Sequence, residues 1–459
     1  MPIVAGVDSS TQSVKVVLRD SDSGELIAST SRPHPDGTEI DPQHWWKALS
    51  DALEELSSHK ISAISIAGQQ HGMIALDKDG AVIRDALLWN DTRSDKAALD
   101  LNQEIPDIAL RTGSQLVASF TASKLRWLAD NEKENANKVA AIALPHDWLS
   151  WKLSGAKSLE TLFTDRSDAS GTGYFDSVKN EYCLDILATA IRNSKKVTLP
   201  KVVAPNQFGA TSIDSIPIAA GAGDNAGAAL GLGASLGDLV ISLGTSGTAF
   251  AVSKSSTHDS SGEVAGFADA TGNFLPLACT LNAAKIFNTV ARSLSLSFEE
   301  FSSLALSAKA GAEGLRMIPH FDGERTPNKP RAKGSFHGMT HNNFTKENIA
   351  RASIEGVIAG MIYAARAVER LGVSYSRILI IGGAAKNSAV QQISADLFGR
   401  TIHIPAIGEY VADGAAKQAA WALSGKENPP NWSLGEIKEV NSRNSDPEIV
   451  ESYMELISN

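Results

Sequence analysis

The chain opens on strand-like periods. "IVAGV" (3–7) is an apolar run, "SVKVVLRD" (13–20) alternates around Val14, Val16 and Leu18, and "ELIAST" (25–30) follows a turn at Gly24. These patterns predict three strands joined by short polar turns. The period then changes. In "DPQHWWKALSDALEEL" (41–56) the apolar positions Trp45, Trp46, Leu49, Leu53 and Leu56 fall at helical spacing. Asp41 is placed to cap this helix and Pro42 to occupy its first position, so both tryptophans are expected in a core. "ISAISIAG" (61–68) returns to a strand. Three strands, a helix and a strand make a mixed α/β opening, unlike the strict alternation of a doubly wound dinucleotide fold.

A similar unit begins near residue 238. "GDLVISLGTSGTAFAVS" (237–253) is an apolar strand, a hydroxyl-rich turn and a return strand, as is "IVAGVDSSTQSVKVVLRD" (3–20). Asp8 of the first turn has no counterpart in the second, where Gly244 and Thr245 stand. Two such units with their turns face to face would form a cleft. The Gly/Ala-rich stretch 219–237 reads as the crossover between them. The expected division is an N-terminal domain over 1–235, a C-terminal domain over 236–425 and a tail over 426–459. The Pro-bearing, charged start of that tail, "GKENPPNWSLGE" (425–436), reads as a surface wrap.

Composition narrows the functional classes. With 459 residues, 43% hydrophobic and 20% charged, the chain suits two large globular domains. A formal charge of −10 argues against nucleic acid or an anionic membrane as partner. An anionic substrate then needs a local positive site or a bound cation. Two cysteines, Cys183 and Cys279, make neither a disulfide framework nor a four-thiolate zinc site. The start "MPIVAGVDSS" has no basic segment followed by an apolar one. No apolar run reaches the ~18 residues of a membrane span. A reducing cytoplasm is the expected location.

Three stretches suit phosphates and a nucleoside. "DSSTQS" (8–13) and "GTSGT" (244–248) are small turns that present backbone N–H groups and hydroxyls. Asp8, at a strand end, can hold Mg2+, and Lys15 is a candidate charge partner. Ordinary hairpin turns would look alike. No G-x-x-x-x-G-K-[ST] occurs, which leaves a P-loop unsupported. In "ILIIGGAAKNSAVQQISADLFG" (378–399), Gly382 and Gly383 end a strand before a helix, a place where a ring or ribose could lie on bare backbone.

"AGAGDNAGAALG" (220–231) threads Asp224 and Asn225 through small residues. Gly221, Gly223 and Ala226 match a loose dinucleotide fingerprint, but Asp224 would then point a charge at pyrophosphate. Two readings stand: an N-cap for the following helix, or a carboxylate that touches substrate, with Gly223 leaving room for the ligand. "GQQHGM" (68–73) and "LLWNDTR" (87–93) gather Gln70, His71, Asn90, Asp91 and Arg93, groups that hydrogen-bond polyol hydroxyls. Neither His71 nor the His337/His341 pair has the acid of a zincin motif.

The ordered set "DSSTQSVK", "GQQHGM", "LLWNDTR", "GAGDNAGAALG", "SLGTSGT", "GERTP" and "IGGAAKN" resembles the FGGY carbohydrate kinases. "SFTASKLRWLADN" (119–131), with Lys124 and Trp127, and "GSFHGMTHNNFTKENIARASIEG" (334–356) resemble that family's longer signatures. The resemblance runs from residue 3 to about 423. It implies two actin-like (ribonuclease-H-like) α/β domains with mixed sheets, ATP and sugar in the cleft between them, and closure on the sugar. It implies Asp224 as catalytic base and Asp8 beside Mg2+. It also implies Thr11, Gln12 and Ser13 at the first phosphate turn, with Gly244 and Thr245 at the second. Gly382, Gly383 and Asn387 match the nucleoside segment, while Gln70 and His71 match the sugar-contacting pair; Asn225, beside Asp224, is expected to help hold the sugar. Gln70 stands where many members carry methionine, and the Arg-Glu pair of glycerol-specific members is missing. The implied reaction is ATP-dependent phosphorylation of D-xylulose to D-xylulose 5-phosphate. Another pentulose, a polyol or an aldonate is the alternative. An actin-like chaperone or filament ATPase is further off, because nothing beyond residue 425 is long enough for a peptide-binding domain. Homodimers are common in that family.

Overall fold

The computed structural model describes residues 2–193, 196–433 and 435–458. The first sheet starts as the periodicity predicts, with β1 (Ile3–Ser9), β2 (Ser13–Asp20) and β3 (Leu26–Pro33) forming an antiparallel meander. Helix α1 (Pro42–Glu55) follows, with the Asp41 side chain accepting from the Gln43 amide at 2.9 Å. Trp45 and Leu49 of α1 are fully buried. Trp46 is only partly buried and lies under the Lys152 ammonium, 5.6 Å from the ring centroid. The tryptophan pair is therefore divided between core and rim, since neighbouring helix positions face about 100° apart.

Strand β4 (Ile61–Gly68) pairs parallel with β1. β5 (Phe208–Thr211), β6 (Pro217–Ala219) and the short β7 (Ala222–Gly223) complete the sheet in the order β5-β6-β4-β1-β2-β3, with β7 on the end of β4. Helix α2 (Asp224–Leu232) then leads to the second sheet. Its first strands, β8 (Asp238–Leu243) and β9 (Gly247–Ala251), repeat the hairpin of β1 and β2. β10 (Val264–Ala268) and β11 (Phe274–Thr280) add two antiparallel strands in the order β8-β9-β11-β10. After the long α3 (Lys346–Arg370), β12 (Arg377–Ile381) pairs parallel with β8, as β4 does with β1. Helix α4 (Ser388–Phe398) and β13 (Ile402–Pro405) follow. The two hydroxyl turns thus sit at equivalent corners of equivalent sheets.

Helix α5 (Tyr410–Ser424) ends the second unit in sequence but packs on α2, β1 and β4 of the first. Glycines permit this. A Cβ on Gly414 would lie 1.8 Å from the Gly227 carbonyl oxygen, and one on Gly231 2.0 Å from that of Tyr410. Much of the small-residue stretch after Asp224 therefore serves backbone-to-backbone helix packing.

The expected surface wrap after Gly425 is more deeply built in. Trp432 is buried against Gly24, β14 (Ile437–Val440) adds to the edge of the second sheet, and α6 (Pro447–Ser458) buries Tyr453 and Ile457 in that unit's core. The polar and proline-rich beginning hid an amphipathic end. No helix among the described residues is long and apolar enough to cross a membrane.

Candidate active site

A cavity of about 230 Å³ lies between the two sheets. Gln70, His71, Trp89, Asp224 and Asn225 line it from one side, and Ser242, Gly244, Ser246, Thr248, Phe267, Leu277, Cys279 and Arg325 from the other. A wider groove of about 670 Å³ beside Tyr182 and Leu187 has no carboxylate or histidine in its described lining.

Asp224 is the first residue of α2. Gly223, not Asp224, takes the N-cap position, so the simple capping reading of this acid fails. Its Oδ1 accepts from the Asn225 amide at 2.7 Å and from Asn225 Nδ2 at 2.8 Å. No described residue donates to Oδ2. Burial pushes the Asp224 carboxyl up to about 7; the Asn225 amide works against this and the nearby Asp8 charge adds to it. A carboxylate with one oxygen tethered, one free and a near-neutral pKa suits general-base work.

The backbone that aims it is clamped. Gln418 of α5 accepts from Gly221 N at 2.9 Å and donates to Gly221 O at 2.8 Å, while Ser65 donates to Gln418 Oε1 at 2.6 Å. Gly221 has φ 89°, and a Cβ there would strike the His146 ring at 2.3 Å. His146 is itself held by Asp168 at 2.6 Å. A Cβ on Gly223 would lie 2.7 Å from Gln70 Cγ. Gly223 therefore makes room for the Gln70 side chain.

Gln70 donates to Ser167 O at 3.2 Å. His71 follows in the left-handed region at φ 69°. Its Nδ1 donates to Gly171 O at 2.6 Å, leaving the Nε2 lone pair for the cavity. Burial, with the Lys124 charge, brings the His71 pKa down to about 3. The ring is neutral at working pH, which leaves Nε2 able to accept a hydrogen bond. Of "LLWNDTR", only Trp89 lines the cavity, its Nε1 donating to Thr11 Oγ1 at 2.9 Å. Asn90 is exposed. Asp91 accepts from Thr38 at 2.8 Å and pairs with Arg93, and Arg93 also bonds Glu39 and stacks on Trp127. That expected polyol cluster is instead a structural network.

Asp8 ends β1 opposite Lys15 of β2. It accepts from Ser10 Oγ at 2.7 Å, and burial pushes it up to about 6. A buried carboxylate this underserved in cation fits a hard divalent metal. Lys15 pairs with Glu409 at 2.5 Å. Thr11 and Ser13 are partly buried, whereas Gln12 and Thr245 are exposed at the turn tips. Gly244 O and Thr245 O accept from Ala284 N and Ala283 N at 3.0 and 3.3 Å, pinning the second turn. Gly382, at φ 93°, crosses Leu243 so closely that a Cβ would lie 2.7 Å away, and Gly383 has open space. That bare backbone fits a nucleoside. The Asn387 side chain caps α4 through Ala389 N and Val390 N and donates to Ser302 Oγ at 2.5 Å, so it shapes the glycine turn from behind.

Sequence reading gave no role to Phe267, Cys279 or Arg325. "GERTP" flagged Arg325 without a task, and the two strand residues carry no local signal. It also passed over 165–172, whose Ser167 and Gly171 carbonyls hold Gln70 and His71 and whose Ser167 Oγ accepts from Gly223 N at 3.1 Å.

Residues 3–231 match the N-terminal domain of the FGGY family of carbohydrate kinases and residues 239–423 its C-terminal domain. The chain is 42% identical over 444 residues to a xylulose kinase of Streptomyces rubiginosus, covering 93% of this chain and 89% of that protein. It superposes on the crystal structure of xylulose kinase from Bifidobacterium adolescentis with TM-score 0.92 at 42% identity, covering 99% of each chain. Gluconate kinase from Lactobacillus acidophilus gives TM-score 0.86 at 25% identity, covering 100% of this chain and 96% of that one. The expected fold of two actin-like domains with mixed sheets holds.

Proposed function

This chain belongs to the FGGY family of carbohydrate kinases, and from that premise we propose that it transfers the γ-phosphoryl group of ATP to D-xylulose, giving D-xylulose 5-phosphate and ADP. The observation that carries the assignment is the shared cavity: Asp224, Gln70 and His71 face Gly244, Ser246 and Thr248 across about 230 Å³. Asp224 Oδ2 takes the proton of the attacking hydroxyl as its oxygen bonds to phosphorus and the bond to ADP breaks. His71 Nε2, Gln70 and Asn225 hold the sugar. Thr11, Gln12, Ser13, Lys15, Gly244 and Thr245 surround the phosphates, Gly382 and Gly383 carry the nucleoside, with Asn387 behind them, and Asp8 would hold Mg2+, which would supply charge neutralisation at the phosphates. The protein's part is positioning and water exclusion. Residues 1–235 form the sugar-binding body and 236–425 the nucleotide-binding one, with α5 returning to brace the first. A cytoplasmic location accords with ATP as co-substrate.

Arg325 favours one second reading. A guanidinium in the sugar cavity would pair with the carboxylate of an aldonate. ADP release with Mg2+ is to be measured over D-xylulose, D-ribulose, xylitol, glycerol and gluconate. D-xylulose is expected to give the highest kcat/KM; gluconate ahead of it would transfer the assignment to the aldonate. In the same assay, His71→Ala is expected to raise the sugar KM about tenfold, the weight of one hydrogen bond plus its packing. ATP KM stays within about twofold. Loss of ATP affinity with sugar affinity intact would remove His71 from the sugar site.

A further inference from the structure

We propose that Lys124 is a positioning residue for the sugar site: with the Thr121 hydroxyl, its Nζ holds the His71 carbonyl and so fixes the backbone conformation that aims the imidazole into the cavity. The inference rests on His71 being a sugar contact.

Lys124 lies in the helix Thr121–Asn131 and is fully buried. Its Nζ donates to His71 O at 2.9 Å and to Ser119 O. Among the described residues no carboxylate lies within ion-pairing distance of it; Asp91 acts only at longer range. A buried ammonium without a counter-ion is costly. Packing alone would be better served by methionine or leucine of similar volume. What calls for a donor at this point is the pair of backbone carbonyls, His71 O and Ser119 O, that Nζ reaches.

That backbone is strained. His71 at φ 69° occupies the left-handed region, which is unfavourable for a residue with a Cβ, and such a conformer persists only where surroundings over-determine it. Lys124 Nζ and Thr121 Oγ1, the latter at 3.2 Å, both donate to the His71 carbonyl. The ring is fixed at its other end by Gly171 O and rests on Phe120, with centroids 4.8 Å apart. Phe120, Thr121 and Lys124 all belong to one helix start, which therefore grips the residue through ring and main chain together. If the carbonyl were released, the peptide between His71 and Gly72 could rotate, and Nε2 would leave its position.

The test is a double-mutant cycle on D-xylulose affinity, measured by calorimetry, with kcat and ATP KM alongside. Lys124→Met is expected to weaken sugar binding about tenfold and Thr121→Val about threefold, the range for charged and neutral hydrogen bonds. The kcat and ATP KM values should stay within about twofold. In a His71→Ala background neither substitution should weaken sugar binding further, because each acts through that side chain. Wild-type affinity in folded Lys124→Met, or an undiminished extra loss on top of His71→Ala, overturns the proposal. If Lys124→Met does not fold, the Thr121→Val cycle decides by the same criteria. Weak binding by His71→Ala beside normal binding by both other variants sinks this inference alone. Normal binding by His71→Ala sinks the sugar-site reading and this inference with it.

Discussion

Asp224→Asn is expected to lower kcat by about 10²–10⁴, the usual weight of a positioned acid–base group, while D-xylulose affinity stays within a few-fold. The amide keeps the shape of the carboxyl and can still accept from Asn225 through its oxygen, but it cannot take the hydroxyl proton. A pH profile separates this from a general disturbance. Burial holds the wild-type Asp224 carboxyl near 7. The basic form dominates above that pH, so kcat/KM for the sugar should fall as pH drops through about 7. Asp8, raised only to about 6, joins the decline later. His71, near 3, stays neutral throughout. In Asp224→Asn the first limb should vanish from the residual rate. Coupled ADP detection from pH 5 to 9, with calorimetric sugar binding, checks both halves. A variant with kcat near wild type would remove Asp224 from the chemistry.

The largest expected stability loss comes from Gly414→Ala. The new methyl would meet the Gly227 carbonyl oxygen at 1.8 Å and Gly231 N at 2.9 Å. Both neighbours are helix backbone, so no rotamer change relieves the clash. Forcing α5 off α2 should lower stability by about 3 kcal/mol or more, at or beyond the upper range for overpacking. Denaturant midpoints measure it. Gly360→Ala is the matched control: it sits inside α3 with nothing within 4 Å of its Cβ position. There alanine should stabilise by about 0.5–1 kcal/mol through helix propensity. The same substitution is thus expected to have opposite signs at two helical glycines. Any folded Gly414→Ala protein should also lose kcat, because α5 carries the Gln418 side chain that clamps Gly221, three residues before Asp224. A Gly414→Ala midpoint equal to wild type would mean that the two helices do not touch as described.

Local patterns carried much of this fold. The β1–β2 hairpin, the Asp41-capped helix and the second hairpin at 238 could each be read from periodicity, because each is stabilised by neighbours in sequence. So could the polar ends of the strands, where Asp8, His71 and Gly244 lie. Failures came where a residue's partner is distant. Asp91 and Arg93 look like sugar ligands until Thr38, Glu39 and Trp127 claim them. The tail looks like a wrap until the second sheet offers an unpaired edge to β14.

By itself the sequence determined the kinds of groups available: a carboxylate among small residues, two hydroxyl turns, a glycine pair after a strand, and the ordered motifs that mark the family. It could not determine which oxygen of Asp224 is free, that Gly223 yields to Gln70, or that Phe267 and Arg325 close the cavity from the opposite sheet. The last two depend on segments far apart in sequence that meet only in the folded chain, and the first on how the helix start presents Asp224 to its neighbour Asn225. Short-range backbone preference is written in neighbouring residues, whereas burial, carboxyl pKa and side-chain aim arise from desolvation and packing that exist only once the two sheets face each other.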